Sequence, residues 1–169
     1  MKHEYFTKAD RVILRPLESE DLEKMRLLRN QNRSRFIDTM EITAETQSRW
    51  YACYLYRAGD YMFSVFHEES DKWIGAVGLY DVNMECGVGE FGRLLIGREL
   101  VPERGMGVDA TKAVCDFAFR QLRLKKLGLE VFHDNIAALI TYLKAGFMPI
   151  RIKECADGRK LLYMECDIK

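Results

Sequence analysis

The chain has 169 residues, 48% of them apolar and 31% charged, with 26 Lys plus Arg against 26 Asp plus Glu. This length suits one domain, 1–169, with a sizeable core, and the even charge argues against nucleic acid or a membrane surface as a partner held by bulk charge. No apolar run approaches a membrane span and the first residues lack a signal-peptide core, while five scattered cysteines without Cys-x-x-Cys spacing fit reduced thiols in the cytoplasm better than a disulfide framework or zinc site.

Residues 11–15 read as a short strand ended by Pro16. Ser19 is placed to cap a helix whose first turn carries Glu20 and Asp21, acids that favour the helix dipole. Leu22, Met25, Leu27 and Leu28 give that helix a buried stripe up to Asn30. A polar loop follows, and Thr43 caps a second helix, to about Arg57, bearing Trp50, Tyr51 and Tyr54. Gly59-Asp60 turns the chain into a strand over 61–66, and the polar stretch 67–71 is a hairpin turn before a strand over 73–80. A turn over 81–89 precedes the strand Glu90-Phe91-Gly92-Arg93-Leu94-Leu95-Ile96. Then come Glu103-Arg104-Gly105-Met106-Gly107-Val108 and an amphipathic helix over 108–122. Residues 127–132 form another strand, and Asn135 leads into a helix over 136–144 that stops at Gly146. Asp157-Gly158 marks a hairpin between two last strands, near 149–154 and 160–167. This order predicts an α/β fold, an antiparallel meander joined to a βαβ unit with helices on both faces.

The chemistry lies between Glu90 and Val108. A strand with one carboxylate leads to a Gly-x-Gly turn at a helix start. Glycine lets a ligand approach closely, and the first-turn amides and the positive end of the helix dipole suit a phosphate or diphosphate. Glu90 stands one strand-length upstream, where Gly87 and Gly89 leave room for a base. An enzyme using a phosphorylated cofactor is the reading. A phosphate-loop NTPase is excluded, because the Lys-Ser/Thr that reaches phosphate and magnesium is missing. His3, His67 and His133 are too dispersed for a metal cluster, and no metal is expected.

Three pieces, in this order and spacing, resemble the GNAT superfamily of acetyl-coenzyme A-dependent N-acetyltransferases over nearly the whole chain. They are residues 90–108, residues 129–135, and the run Asn135-Ile136-Ala137-Ala138-Leu139-Ile140-Thr141-Tyr142-Leu143-Lys144-Ala145-Gly146-Phe147, which matches the family's Asn-x-x-Ala…Tyr…Gly-Phe pattern. The resemblance implies the GNAT fold: a mixed, largely antiparallel central sheet with a splayed strand pair and helices on both faces. It implies acetyl-coenzyme A as co-substrate, Glu90 as general base and Tyr142 as general acid. Leu94, Leu95 and Ile96 would bind the pantetheine arm through their backbone, like an added strand. Arg104, Gly105, Met106, Gly107 and Val108 would hold the diphosphate. Asn135 would bond the arm, cap the helix that follows, or do both through different atoms. Where the family's loop usually opens on Gln or Arg, this chain has Pro102, which lacks an amide donor.

Simpler readings stand beside these. Glu90 can be a solvent-facing glutamate or pair with Arg93, and Tyr142 can be a core tyrosine. Arg26, Arg29, Arg33 and Arg35 are either a solvated face or a contact for an anionic acceptor. Trp50, Tyr51 and Tyr54 either floor the acceptor pocket or belong to the core. The implied reaction moves an acetyl group to the primary amine of a small molecule, such as an amino sugar or nucleotide-linked amino sugar, by direct attack in a ternary complex. A ribosomal-protein type of N-terminal acetyltransferase and a non-catalytic acyl-coenzyme A sensor are the alternatives. The sequence leaves a homodimer open.

Overall fold

The computed structural model describes residues 2–101, 103–155 and 157–168. Pro102, the departure in the loop motif, lies outside the described residues. Strands β1 (Thr7–Ala9), β2 (Val12–Pro16), β3 (Tyr61–His67), β4 (Trp73–Asn83) and β5 (Val88–Ile96) form an antiparallel meander. β6 (Lys126–Phe132) joins β5 in parallel, and β7 (Met148–Glu154) and β8 (Lys160–Asp167) close the order β1-β2-β3-β4-β5-β6-β8-β7. The expected mixed, largely antiparallel sheet is there. Its short edge strand β1 was not foreseen.

Helices α1 (Leu22–Gln31) and α2 (Ala44–Tyr56) cover one face, where Leu17, Met25, Leu28, Tyr54, Met62, Ala76 and Leu95 form a core. Helices α3 (Met106–Asp116) and α4 (Ile136–Ala145) belong to the larger core that includes Leu14, Phe63, Phe91, Ala110, Val114 and Tyr142. Several local expectations change. Ser19 does not cap α1: it opens a 3-10 turn, Ser19–Asp21, and no side chain caps either segment. Asp21 turns inward instead and accepts a 2.6 Å hydrogen bond from the Ser64 hydroxyl. Leu27 is 49% exposed, because the buried row runs through Met25 and Leu28. Helix α3 begins two residues early, at Met106, and is followed by a π-helical turn, Phe117–Gln121.

Other signals act as expected. Thr43 and Thr46 form a reciprocal capping box at the start of α2, with bonds of 3.1 and 2.9 Å. Gly146 ends α4 in the left-handed conformation at φ 105°.

The parallel ladder of β5 with β6 covers only Val88, Gly89 and Glu90 against Lys126, Leu127 and Gly128, although both strands run further. This is the splayed pair. Its cause is a bulge: Gly78 pairs with Gly92 and Ala76 with Leu95, so one β4 residue, Val77, faces both Arg93 and Leu94. Arg93 takes a left-handed φ of 53°. Its Nη1 donates at 2.8 Å to Asp60, whose carboxylate is fully buried and also lies 3.5 Å from Arg57. Asp60→Asn should therefore cost roughly 3 kcal/mol, the lower end for a broken buried pair because Arg93 keeps some solvent. Chemical denaturation measures this; a change below about 0.5 kcal/mol, the range of an ordinary surface substitution, contradicts it.

Candidate active site

Beyond Glu90 the splay opens into a cavity of about 1170 Å³. Its walls are β5, β6, the start of α3, α4, the end of α1 and the loop before α2. Every expected site residue except Val108 is among its lining residues.

Glu90 sits directly opposite Tyr80 on β4 and is half-buried. The Tyr80 hydroxyl donates to its Oε1 at 2.7 Å. Oε2 has no hydrogen-bond partner among the described residues. Arg93 is not the partner of Glu90: it is committed to Asp60, and its guanidinium lies 4.2 Å from the centre of the Tyr80 ring. Burial pushes the Tyr80 phenol well above its ordinary range, and the adjacent Glu90 adds to the shift. Tyr80 therefore donates as a neutral phenol. Room for it comes from Gly92, where a Cβ would stand 2.7 Å from the Tyr80 oxygen. Gly89, expected to clear space around Glu90, packs instead against Leu124 and Leu79.

Tyr142 is buried on α4, edge-on to Phe91 at 5.6 Å between ring centres. Burial pushes its phenol up to about 12. Its hydroxyl has no hydrogen-bond partner among the described residues, so its proton is not committed within the protein.

At the other end, Gly105 precedes α3 with φ 97°, and no side chain caps the helix. The uncapped start suits an anion. Val108 is the exception, since its amide already donates to the Gly105 carbonyl at 2.8 Å. A Cβ on Gly107 would lie 3.4 Å from Thr141, narrowing the gap between α3 and α4. Arg104 is exposed beside this turn. Leu95 is buried under α1 and α2, while Leu94 and Ile96 pack toward the α3 core. Their strand lies past the end of the β5–β6 ladder, where an extended ligand can find backbone partners. Asn135 caps α4, its Oδ1 accepting from the Ala138 amide at 3.3 Å, and its side-chain Nδ2 has no partner among the described residues. These features fit a long ligand with a diphosphate at one end.

On the opposite wall the four arginines separate. Arg26 pairs with Glu23 and Arg33 with Glu41, whereas Arg29 and Arg35 have no carboxylate within 4.0 Å among the described residues. Trp50 lines the cavity and stacks on Tyr54, which is core: its hydroxyl accepts from the Met62 amide at 3.0 Å. Glu103, which lines the cavity, lies with His67 and Glu69 so that their potential metal-ligand atoms are within 4.8 Å of one another, a proximity that their sequence spacing hid. Sequence reasoning also missed Tyr80 and Asp60. The alternation of the β4–β5 hairpin carried a signal for Tyr80; nothing local pointed to Asp60.

Residues 11–148 match the family described as the acetyltransferase (GNAT) domain. The chain belongs to that family and is an acetyl-coenzyme A-dependent N-acetyltransferase. It is similar to the probable N-acetyltransferase YjcK of Bacillus subtilis, 28% identical over 152 residues that cover 83% of this chain and 82% of the relative. In structure it is similar to apo FdhC, a nucleotide-linked sugar GNAT (TM-score 0.82, 21% identity, 98% of this chain and 91% of the other). It is also similar to a spermidine N-acetyltransferase of Vibrio cholerae solved with CoA and spermine (TM-score 0.81, 23% identity, 93% and 95%). Among the described residues no helix is long and apolar enough to cross a membrane.

Gly107→Val puts branched carbon into the gap facing Thr141 and should weaken coenzyme A binding by at least about 10-fold, as loss of one charge-assisted bond would do. Calorimetry on the folded variant is the measurement; undiminished affinity would remove the turn from the binding site.

Proposed function

We propose that the chain transfers the acetyl group of acetyl-coenzyme A to the primary amine of a small molecule, an amino sugar or nucleotide-linked amino sugar, by direct attack in a ternary complex. One observation carries this reading. The cavity is continuous from the Gly105–Gly107 turn, past Glu90 and Tyr142, to the arginines of the α1 wall, so both substrates have room at once. The similarity to a nucleotide-linked sugar GNAT supports the acceptor class.

Acetyl-coenzyme A supplies an activated acyl thioester when bound. The amides of Gly105, Met106 and Gly107, with Arg104 beside them, hold its diphosphate. The β5 edge at Leu94–Ile96 and the Asn135 Nδ2 hold its pantetheine arm. A substrate amine arrives protonated at neutral pH and must lose a proton to attack. Glu90 takes that proton on Oε2, directly or through water, while Tyr80 fixes Oε1. Tyr142 protonates the departing thiolate. With its pKa raised to about 12, it stays a neutral donor across the working range. A reducing, cytosolic setting is part of the proposal, supported by the exposed thiols of Cys53 and Cys86.

Screening amines for thiol release from acetyl-coenzyme A tests the function. Initial rates should follow a sequential pattern, and a ping-pong pattern would refute direct attack. Acetylation of peptide N-termini alone would replace the small acceptor. Glu90→Gln should lower turnover by about 10²–10⁴-fold with coenzyme A affinity kept, and should regain activity as rising pH deprotonates the amine in solution. Normal turnover at neutral pH would return Glu90 to a structural role. Tyr142→Phe keeps the ring, so its loss should fall on kcat and not on KM, the signature of a contact made only in the transition state. Single-turnover acyl transfer as fast as wild type, at equal thermal stability, would rule the phenol out.

A further inference from the structure

Arg29, on the last turn of α1, is a partly buried cation of the acceptor wall without a carboxylate within 4.0 Å among the described residues. Its guanidinium stacks 3.7 Å from the centre of the Phe36 ring, and one Nη2 hydrogen bond ties it to the backbone carbonyl of Asp38. These contacts fix its plane without neutralising its charge. Its Nη1 is buried with no hydrogen-bond partner, and its Nε has none among the described residues. Burial draws its pKa below the ordinary arginine value, outweighing the nearby Asp38 carboxylate, which raises it. A buried charged donor left unbonded is unfavourable unless something else supplies the acceptor.

The neighbouring acids do not supply it. Glu41 is paired with Arg33, no hydrogen bond joins Glu90 to Arg29, and the Asp38 carboxylate, which offsets part of the Arg29 charge, accepts from the Met40 amide and makes no ion pair within 4.0 Å among the described residues. Arg35, four residues past α1 and exposed on the same cavity, adds a second cation without a carboxylate within 4.0 Å among the described residues. Two cations, Arg29 and Arg35, against one acid without an ion pair, Asp38, leave this wall net positive. A planar guanidinium with free N–H groups matches the oxygens of a carboxylate or phosphate.

We propose that Arg29, assisted by Arg35, forms an oxyanion subsite, so that the acceptor is an amine carrying a carboxylate or phosphate remote from its reacting nitrogen. This rests on the amine-acetylation reading and narrows it: a polyamine has no group for the subsite. Because Nη1 is screened from bulk water, contact requires the side chains over it to shift as the acceptor enters.

The test uses amines matched with and without an oxyanion: glucosamine and glucosamine 6-phosphate, glucosamine and a uridine-diphosphate-linked amino sugar, ethylamine and β-alanine, with spermidine as an oxyanion-free polyamine. Each is assayed for thiol release and, on coenzyme A-saturated protein, for calorimetric binding. Members with an oxyanion should be preferred in at least one readout, and the phosphate and carboxylate pairs tell the two sources apart. Arg29→Gln should weaken those members by about 10- to 100-fold, the loss of one charge-assisted hydrogen bond, while leaving coenzyme A affinity unchanged. Arg29→Lys, which keeps the charge but not the fork, should lie between. Arg35→Gln, at an exposed position, checks the subsite without disturbing α1 and should give a smaller loss. Preference for oxyanion-free amines, binding of no oxyanion member, or equal losses for both members of a pair in well-folded Arg29→Gln would each overturn the subsite while the acetyltransferase stands. Arg29-dependent binding of an oxyanion member with no amine acetylated would instead support the subsite and overturn the acceptor class.

Discussion

Arg93 holds a left-handed backbone in the middle of a strand, a conformation that costs a non-glycine residue on the order of 1–2 kcal/mol, and the buried carboxylate of Asp60 keeps it there. The bulge that results swings the second half of β5 away from β6, so the parallel ladder stops at Glu90 and Gly128. Without that swing the strands would continue to pair and no cavity would separate them. The same guanidinium also lies over the ring of Tyr80, whose hydroxyl holds Glu90. One ion pair thus opens the cleft and, through a single phenol, orients the carboxylate at its edge. Breaking it would loosen the site as well as the fold.

The diphosphate end is fixed by a different device. Arg11, just before β2, pairs at 2.8 Å with the buried Asp109 in the first turn of α3. Asp109 complements the helix dipole there, and Arg11 anchors the turn to the sheet. The Arg11 Nη2 stands only 2.9 Å from where a Cβ of Gly105 would be, so that glycine is required by backbone conformation and by close approach alike. The helix start is held before any ligand arrives, which lowers the ordering cost of binding.

Much of this was legible in the sequence wherever a signal is local. Thr43, Gly146 and Asp157-Gly158 punctuate the chain through their own backbone chemistry, and strand alternation placed β3 to β6 within a residue or two at most ends. Signals failed where a distant partner competes. Ser19 resembles a cap, but Asp21 is drawn to Ser64, 43 residues away, and the helix starts without a cap. Helix α3 starts early because Gly105 bends the chain there and leaves no polar side chain to announce it. Asp60 reads as a turn residue beside Gly59; its link to Arg93 spans 33 positions and has no periodic trace. The arginine run read as one cluster, whereas the fold gives Arg26 and Arg33 acidic partners and leaves Arg29 and Arg35 without them.

The two phenols of the cavity show how burial alone does not define a role. Both Tyr80 and Tyr142 are raised above the ordinary tyrosine range by desolvation, so neither ionises near neutral pH. Their difference lies in what holds the proton. Tyr80 has already given its hydrogen bond to Glu90, and donating it elsewhere would release the carboxylate it positions. Tyr142 has no such commitment, and its ring is fixed by Phe91 and Phe147, at 5.6 and 6.2 Å between centres. Its hydroxyl is not among the buried unpartnered atoms and opens to the cavity it lines. Under the proposed assignment it bonds to the departing thiolate most strongly as the charge develops, so the bond is strongest in the transition state, where it accelerates the reaction. Exchanging the two roles would leave Glu90 unheld and the thiolate facing a phenol already engaged, which is why Tyr142 is assigned the acid and Tyr80 the positioning of the base.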